Sequence, residues 1–108
     1  MKLIFLLGTL LPGVVIGSEI ELYPGYVSRI DCTGKLILTS IGNDKLVQIE
    51  PLPDALGCGL LLKPLQMSGT TNLVLESSSQ SATAVVQVLD NRKPKSAKDL
   101  RYQLKGGK

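Results

Sequence analysis

The sequence predicts an all-β protein: a small β-sandwich or open barrel of about six to seven short strands over residues 18–89, with a signal peptide before it and a basic, flexible tail after it. Apolar runs rich in Val, Ile and Leu recur at roughly the 8- to 12-residue spacing typical of sandwiches and barrels. Clusters of Gly, Pro, Asn and Ser separate the runs, and no helical period of about 3.6 residues is present. The 108 residues, 44% hydrophobic and 19% charged, suit a single globular domain.

Residues 1–17 are expected to be a signal peptide. A short positive start precedes an apolar run over residues 3–16, and the run is followed by the small residue Gly17. We expect cleavage before Ser18. A retained membrane anchor is the competing interpretation, but the run is shorter than the roughly 20 apolar residues of a spanning helix. The mature chain is therefore expected to be exported, as a periplasmic or secreted protein.

The first two strands are predicted on either side of a Pro-Gly turn. In residues 18–24, Ile20 and Leu22 alternate with polar residues, the period of two that is typical of a half-buried strand. The Pro-Gly pair at 24–25 signals a turn, and residues 26–31 follow as the second strand.

Two further strands are predicted over residues 35–41 and 45–50. Gly, Asn and Asp at 42–44 favour a turn between them. Prolines at 51 and 53 end the second of these strands, so residues 51–59 are expected to form a loop.

The centre of the chain, residues 60–76, is predicted as strand, turn and strand. Its two apolar runs are joined by a polar Ser-Gly-Thr-Thr-Asn cluster at 68–72. Residues 83–89 are the last predicted strand and follow a polar turn at 77–81.

Three residues of the central unit are expected to have structural roles. Asn72 is predicted to cap the turn by hydrogen bonding to the local backbone. Pro64 lacks an N–H donor and is predicted to mark a strand end or edge, with Lys63 facing solvent.

Cys32 and Cys58 are the disulfide candidates. An even number of cysteines in an exported chain favours a bridge, with two buried free thiols as the alternative. Two cysteines without any histidine do not make a zinc ligand set, so no metal site is predicted.

Residues 90–108 form a basic tail. Their net charge is +5, whereas residues 18–89 carry a net charge of −3. Such a tail is passive, binds anionic lipid or nucleic acid through charge, or becomes ordered on a protein partner. Tyr102 is its only aromatic residue, so nucleic acid is not the expected partner. The candidate partner-binding residues are Arg92, Lys93, Lys95, Lys98, Arg101 and Lys105.

No catalytic arrangement is predicted. The absence of histidine excludes Ser-His and Cys-His pairs, and a Ser-Lys pair stays open without a local motif to support it. The acidic residues of the domain are scattered singly through strands and turns, as solvent-facing positions are. We expect a non-enzymatic protein without a cofactor.

Two short motifs in the central unit carry a family resemblance: Lys63, Pro64, Thr71, Asn72 and Leu73. With the final strand, they resemble the N-terminal β-domain of the periplasmic ring component of type IV secretion and conjugation outer-membrane core complexes. The resemblance covers roughly residues 26–89; β-domains of secretins and of pilus assembly are close alternatives. The chain departs from the family in having no Trp before its Lys-Pro strand, and this departure leaves a small-subunit or accessory role open.

The expected function is that of an exported interaction or structural module, as a component or accessory of a secretion, conjugation or pilus-assembly envelope complex. Its protein partners would add strands to exposed sheet edges, and its tail would become ordered on a partner or lie along an anionic membrane surface. Oligomerisation stays open. The alternative is a secreted monomeric ligand-binding or adhesin-like β-domain.

Overall fold

A computed structural model describes residues 14–104, which form two four-stranded β-sheets. In chain order the strands are β1 (Val14–Leu22), β2 (Ser28–Asp31), β3 (Leu36–Ile41), β4 (Val47–Pro51), β5 (Gly59–Pro64), β6 (Gly69–Ser77), β7 (Ser81–Val88) and β8 (Arg101–Gln103). Short 3₁₀ helices, Asp54–Leu56 and Ala97–Leu100, precede β5 and β8. The predicted all-β, sandwich-like class is confirmed.

Sheet I has the strand order β1-β7-β6-β3, and sheet II has the order β4-β5-β2-β8. Both sheets are mixed, because β1 runs parallel to β7 and β8 runs parallel to β2, while the other neighbours are antiparallel. The connections β4–β5 and β6–β7 stay within one sheet, and the other connections between described strands cross from one sheet to the other. The crossings join the two layers.

The core lies between the sheets and is mainly aliphatic. Because successive side chains of a strand point to opposite faces, every second residue enters the core. In β7, Ala84 and Val86 are buried while Thr83 and Val85 point to solvent. Burying one such Leu or Val side chain contributes roughly 1.5–3 kcal/mol, so a one-residue slip in register is strongly disfavoured. The largest fully buried apolar side chains are Leu22, Val47, Leu60, Leu62, Leu75 and Val86.

The predicted Pro-Gly turn after β1 is confirmed. The Tyr26 N–H donates to the Tyr23 carbonyl at 3.0 Å, and Gly25 has a φ of +88°, as the third residue of a type II turn requires. The second strand was predicted over residues 26–31, but β2 begins at Ser28, because the turn delays the start of the strand. Tyr26 and Val27 therefore lie in an exposed loop.

The predicted turn at 68–72 is wrong by several residues. The chain turns over residues 65–68, and β6 already begins at Gly69. The β-branched Thr70 and Thr71 favour a strand and pair with β7. Gly69 is required there: its φ is +149°, and a Cβ would lie 2.8 Å from a methyl carbon of Leu46.

The predicted turn-capping role of Asn72 is also wrong. Asn72 lies within β6, exposed and opposite Val85. Its carbonyl accepts the Gly42 N–H at 2.8 Å, which continues the β6 ladder beyond the end of β3. A residue inside a regular ladder has its backbone groups paired with neighbouring strands, so it has no turn to cap.

The described part of the tail, residues 90–104, contains a strand that was not predicted. In β8, Arg101 lies opposite Arg29 and Tyr102 lies opposite Ile30. The described strands therefore number eight instead of six or seven. Ser96 caps the 3₁₀ helix before β8 by accepting the Lys98 N–H.

β1 extends across the predicted cleavage site, because it begins at Val14. Residues 1–13 of the predicted signal peptide lie outside the described residues. The part of β1 after the site, from Ser18 to Leu22, pairs with residues 84–88 of β7. A chain cleaved after Gly17 retains that pairing.

Candidate functional site

Cys32 and Cys58 form the predicted disulfide. Their Cα atoms are 5.0 Å apart, both side chains are buried, and the Cys32 N–H donates to the Cys58 carbonyl at 3.0 Å. The bridge connects the end of β2 with the residue before β5. A disulfide is consistent with an oxidising, exported location.

The structure places the residues that carry the family resemblance in two different sheets. Lys63 is exposed and Pro64 ends β5 in sheet II, as their sequence indicated. Thr71, Asn72 and Leu73 belong to β6 in sheet I, where Leu73 is part of the core. The two motifs are consecutive strands but do not form one hairpin.

Asp31 lies between two arginines on the outer face of sheet II. The Arg29 Nε and the Arg101 Nε each donate to one of its carboxylate oxygens at 2.7 Å, and its side chain is 14% exposed. Partial burial raises the Asp31 pKa, but the hydrogen bonds and charges of Arg101 and Arg29 outweigh burial and hold the pKa below its usual value. The ionised carboxylate thus ties β8 to β2.

Tyr102 and Gln80 hold the C-terminal segment against the rest of the domain. The Tyr102 hydroxyl donates to the Glu21 carbonyl at 2.8 Å and accepts the Glu21 N–H at 3.1 Å. The buried Gln80 side chain accepts the Thr33 N–H at 2.7 Å and donates to the Leu104 carbonyl at 3.1 Å. Burial raises the pKa of Tyr102, so the hydroxyl keeps its proton at neutral pH. The edge of β1 is therefore occupied at Glu21.

The four sheet edges differ in how they are protected against pairing with another strand. β1 carries glutamates and is covered at one point by Tyr102, β4 carries Glu50 and ends at Pro51, and β8 is three residues long. β3 has the sequence Leu-Ile-Leu-Thr-Ser-Ile, without a charge or a proline. Charges, prolines and shortness are the usual protections of an edge, so β3 is the least protected edge among the described strands.

Along this edge, the backbone of β3 has hydrogen-bonding groups that no other described strand binds. The Gly42 N–H donates to Asn72 of β6, so every second residue before Gly42 directs its backbone groups toward β6. The N–H and C=O groups of the residues between them, Thr39 and Ile41, therefore point away from β6.

A β-bulge near the start of β3 exposes two consecutive apolar side chains. Leu36 lies opposite Ser77 and Leu38 lies opposite Glu76, so Ile37 is one extra residue in β3. The bulge interrupts the alternation, and Ile37 and Leu38 are 61% and 48% exposed. In a regular strand one of the two would point into the core.

An open groove of about 530 Å³ runs beside β3. Residues 35–39 line one wall, and Pro51, Leu52, Asp54 and Cys58 line the other. The disulfide is thus close to the second wall. The groove and the exposed side chains of β3 together form a surface that we call the β3 surface (residues 35–41 with the loop 51–58).

Four connections meet at one end of the sandwich, which we call the loop end (residues 23–27, 42–46, 65–68 and 89–100). Leu22 and Gly69 both lie opposite Val88, and Val47 lies opposite Pro64. In each sheet these strand ends are therefore side by side, and so are the loops attached to them. Large apolar side chains are exposed there: Tyr26 at 40%, Val27 at 48%, Leu65 at 48% and Met67 at 62%. The sequence predicts a strand at Tyr26 and Val27 and places Leu65 and Met67 before a turn.

Three of the six basic candidates of the tail come together at the loop end. They line a polar depression of about 480 Å³ and are Arg92, Lys93 and Lys95. Lys98 is exposed in the second 3₁₀ helix, and Arg101 belongs to the cluster around Asp31. Lys105 lies outside the described residues.

Tyr23 is buried beneath this depression. Burial, and after it the charge of Glu21, raises the pKa of the Tyr23 hydroxyl. The hydroxyl is therefore neutral at physiological pH and adds no negative charge to the basic cluster.

The part of the chain that the structure describes has no group of three or more His, Cys, Asp or Glu side chains arranged to hold a metal ion. Within the same residues, no helix is both long enough and apolar enough to cross a membrane. No protein-family model matches the chain, and no curated protein shows significant similarity to it.

Proposed function

We propose that the protein is a non-enzymatic exported interaction module that binds an extended segment of a protein partner along β3. The observation that carries the proposal is the six-residue edge of β3, which has neither a charge nor a proline. The disulfide supports an oxidising location outside the cytoplasm. In the envelope complex expected from the sequence, the partner would be another subunit.

Strand addition uses the groups that β3 leaves unpaired. The outward N–H and C=O groups of Thr39 and Ile41 bond the backbone of the incoming segment, at about 0.5–1.5 kcal/mol for each hydrogen bond. Ile37 and Leu38 supply apolar contact at one end of the edge. The groove receives alternate side chains of the partner, so it sets which sequences bind.

A photo-crosslinking amino acid at position 38 tests the proposal in the producing cells. We expect a discrete adduct whose partner mass spectrometry identifies. The matched control is the same amino acid at position 85, because Val85 is exposed to a similar degree but lies in β7, a central strand. Equal labelling at both positions, or none at position 38, would refute partner binding at β3.

The variant Thr39→Pro separates strand addition from simple apolar contact. Proline removes one outward N–H but no hydrogen bond to β6, so the fold should tolerate it as sheet edges do. We expect Thr39→Pro to abolish the adduct at position 38 and Thr39→Val, which keeps the N–H, to retain it. Light scattering of the purified chain shows whether the partner is a second copy.

A further inference from the structure

The loop end combines exposed apolar side chains with basic ones on a single continuous surface. Pro24, Tyr26 and Met67 line a shallow depression of about 310 Å³ whose other residues include Arg92 and Lys93. The same two basic residues also line the polar depression that contains Lys95. The apolar and basic parts therefore share a border and are open to the same solvent face.

The apolar side chains at the loop end are exposed because of the backbone around them. The Pro-Gly turn holds Tyr26 outside β2, and Leu65 is fixed at the end of β5 by its N–H, which donates to the Leu46 carbonyl at 2.8 Å. Both loops are short and directly follow or precede core strands. Adjacent apolar side chains that are held in solvent and bordered by polar residues mark interaction sites.

The charge of the loop end favours an anionic partner. Its loops contain Lys45, Arg92, Lys93, Lys95 and Lys98 against Asp44, Asp90 and Asp99, a net charge of +2. The described connections at the opposite end contain only Lys35 and Asp54 as charged residues and are neutral. Among the described residues, the side chains of Arg92, Lys93 and Lys95 form no ion pair, although Glu21 and Asp99 line the same depression.

We propose that the loop end docks on an anionic phospholipid bilayer. Tyr26, Val27, Leu65 and Met67 enter the interfacial region, while Arg92, Lys93 and Lys95 contact lipid phosphates. Tyrosine favours the interface because its ring is apolar and its hydroxyl is polar. Apolar insertion combined with attraction to anionic headgroups is the general mode of interfacial binding. This site is separate from the β3 surface and does not depend on the proposed function.

Flotation with vesicles tests the proposal on the chain as it is recovered from the producing cells. The wild-type chain should bind vesicles that contain phosphatidylglycerol, bind pure phosphatidylcholine far less, and lose much of the binding at about 0.5 M salt, where charge interactions are screened. Any contribution of residues 1–17 is the same in wild type and variants, so the comparison isolates the loop end. A wild-type chain that binds neither vesicle type, or binds both equally, overturns the proposal.

Two variants distinguish the charged from the apolar contribution. Arg92→Gln with Lys93→Gln and Lys95→Gln should lower the partition coefficient by roughly 100-fold, about fivefold for each basic residue. Tyr26→Ser with Met67→Ser should lower it by about tenfold or more. The matched control is Lys63→Gln with Val85→Ser, one exposed basic and one exposed apolar residue outside the loop end, and should change nothing.

Two further outcomes would refute the lipid proposal. Circular dichroism confirms that each variant is folded. If the control lowers binding by about fivefold, as much for its one basic residue as the loop-end variant does for each of its three, the attraction is nonspecific and the proposal fails. If the loop-end variants keep vesicle binding but lose an envelope protein in crosslinking, this surface binds protein and the lipid proposal is refuted.

Discussion

Replacing Cys32 and Cys58 together by Ala measures how much stability the covalent link supplies. The bridge joins residues with a sequence separation of 26. In the chain-entropy model, closing a loop of this length restricts the unfolded chain by about 3.5 kcal/mol at 25 °C. The variant keeps the backbone hydrogen bond between the two residues and the pairing of β2 with β5. We therefore expect the free energy of unfolding to fall by about 3–4 kcal/mol.

Urea unfolding followed by circular dichroism provides the measurement. Three samples are compared: the oxidised wild type, the wild type with reductant present during unfolding, and the double variant. The oxidised sample should have the lowest dependence of free energy on urea, because its crosslinked unfolded chain exposes less surface. The melting temperature of the variant should be lower by roughly 12–32 °C, since small domains lose about 4–8 °C per kcal/mol.

The double variant with added reductant is the internal control, because it has no bond to reduce and should not respond. The reduced wild type and the double variant should then have similar stability. A loss below about 1 kcal/mol would refute the reasoning, since a loop of this length cannot cost so little if the unfolded chain is free. Non-reducing mass spectrometry establishes beforehand that the wild type is oxidised.

Two further predictions concern β8. The Asp31 pKa is lower in the folded than in the unfolded chain, so its ion pairs stabilise the fold above the unfolded-state pKa of about 4 and are lost as pH falls through the folded-state pKa. Asp31→Asn should lower the free energy of unfolding by about 1–2 kcal/mol at pH 7 and by much less in acid. An equal loss at both pH values would contradict this reasoning. Tyr102→Phe should cost about 1 kcal/mol and speed hydrogen exchange of the Glu21 amide, while Tyr26→Phe should do neither.

The strands that were predicted correctly are those in which burial follows the alternation of the sequence. In β7 the apolar residues at even positions are buried, so the alternation in the sequence already indicates which side chains face the core. The disulfide was predicted from the number of cysteines and the expected compartment. The Pro-Gly turn was predicted because a Pro-Gly pair signals a turn, and the turn observed is of type II, in which Gly supplies the positive φ.

β8 was not predicted because its position depends on residues far along the chain. Arg101 is bonded to Asp31, 70 residues away, and Tyr102 is bonded to Glu21, 81 residues away. Leu100, Tyr102 and Leu104 alternate with Arg101 and Gln103, which is a strand pattern, but it spans only five residues and the basic composition around it indicated a tail. β8 pairs in parallel with β2, a strand near the other end of the chain, so its conformation depends on long-range pairing that a local pattern does not reveal.

The exposure of the apolar side chains at β3 and at the loop end could not be predicted from the sequence either. Ile37 and Leu38 occur in an ordinary strand pattern, and only the pairing with β6 shows that one residue is inserted. Tyr26 and Val27 likewise have strand character, but the preceding turn places β2 after them. Burial depends on the partner strand, so a pattern with two possible registers does not determine which side chains face solvent.

The two proposed binding surfaces lie on different parts of the sandwich, and this makes them separable by experiment. The bulge of β3 is opposite Ser77, at the end of β6 that is remote from Gly69 and the loop end. Thr39→Pro should therefore abolish strand addition and leave vesicle binding unchanged, and loss of Tyr26 and Met67 should have the opposite effect. A change that removes both activities would indicate unfolding. If both proposals hold, one chain can bind a bilayer and a partner strand at once, because neither surface covers the other.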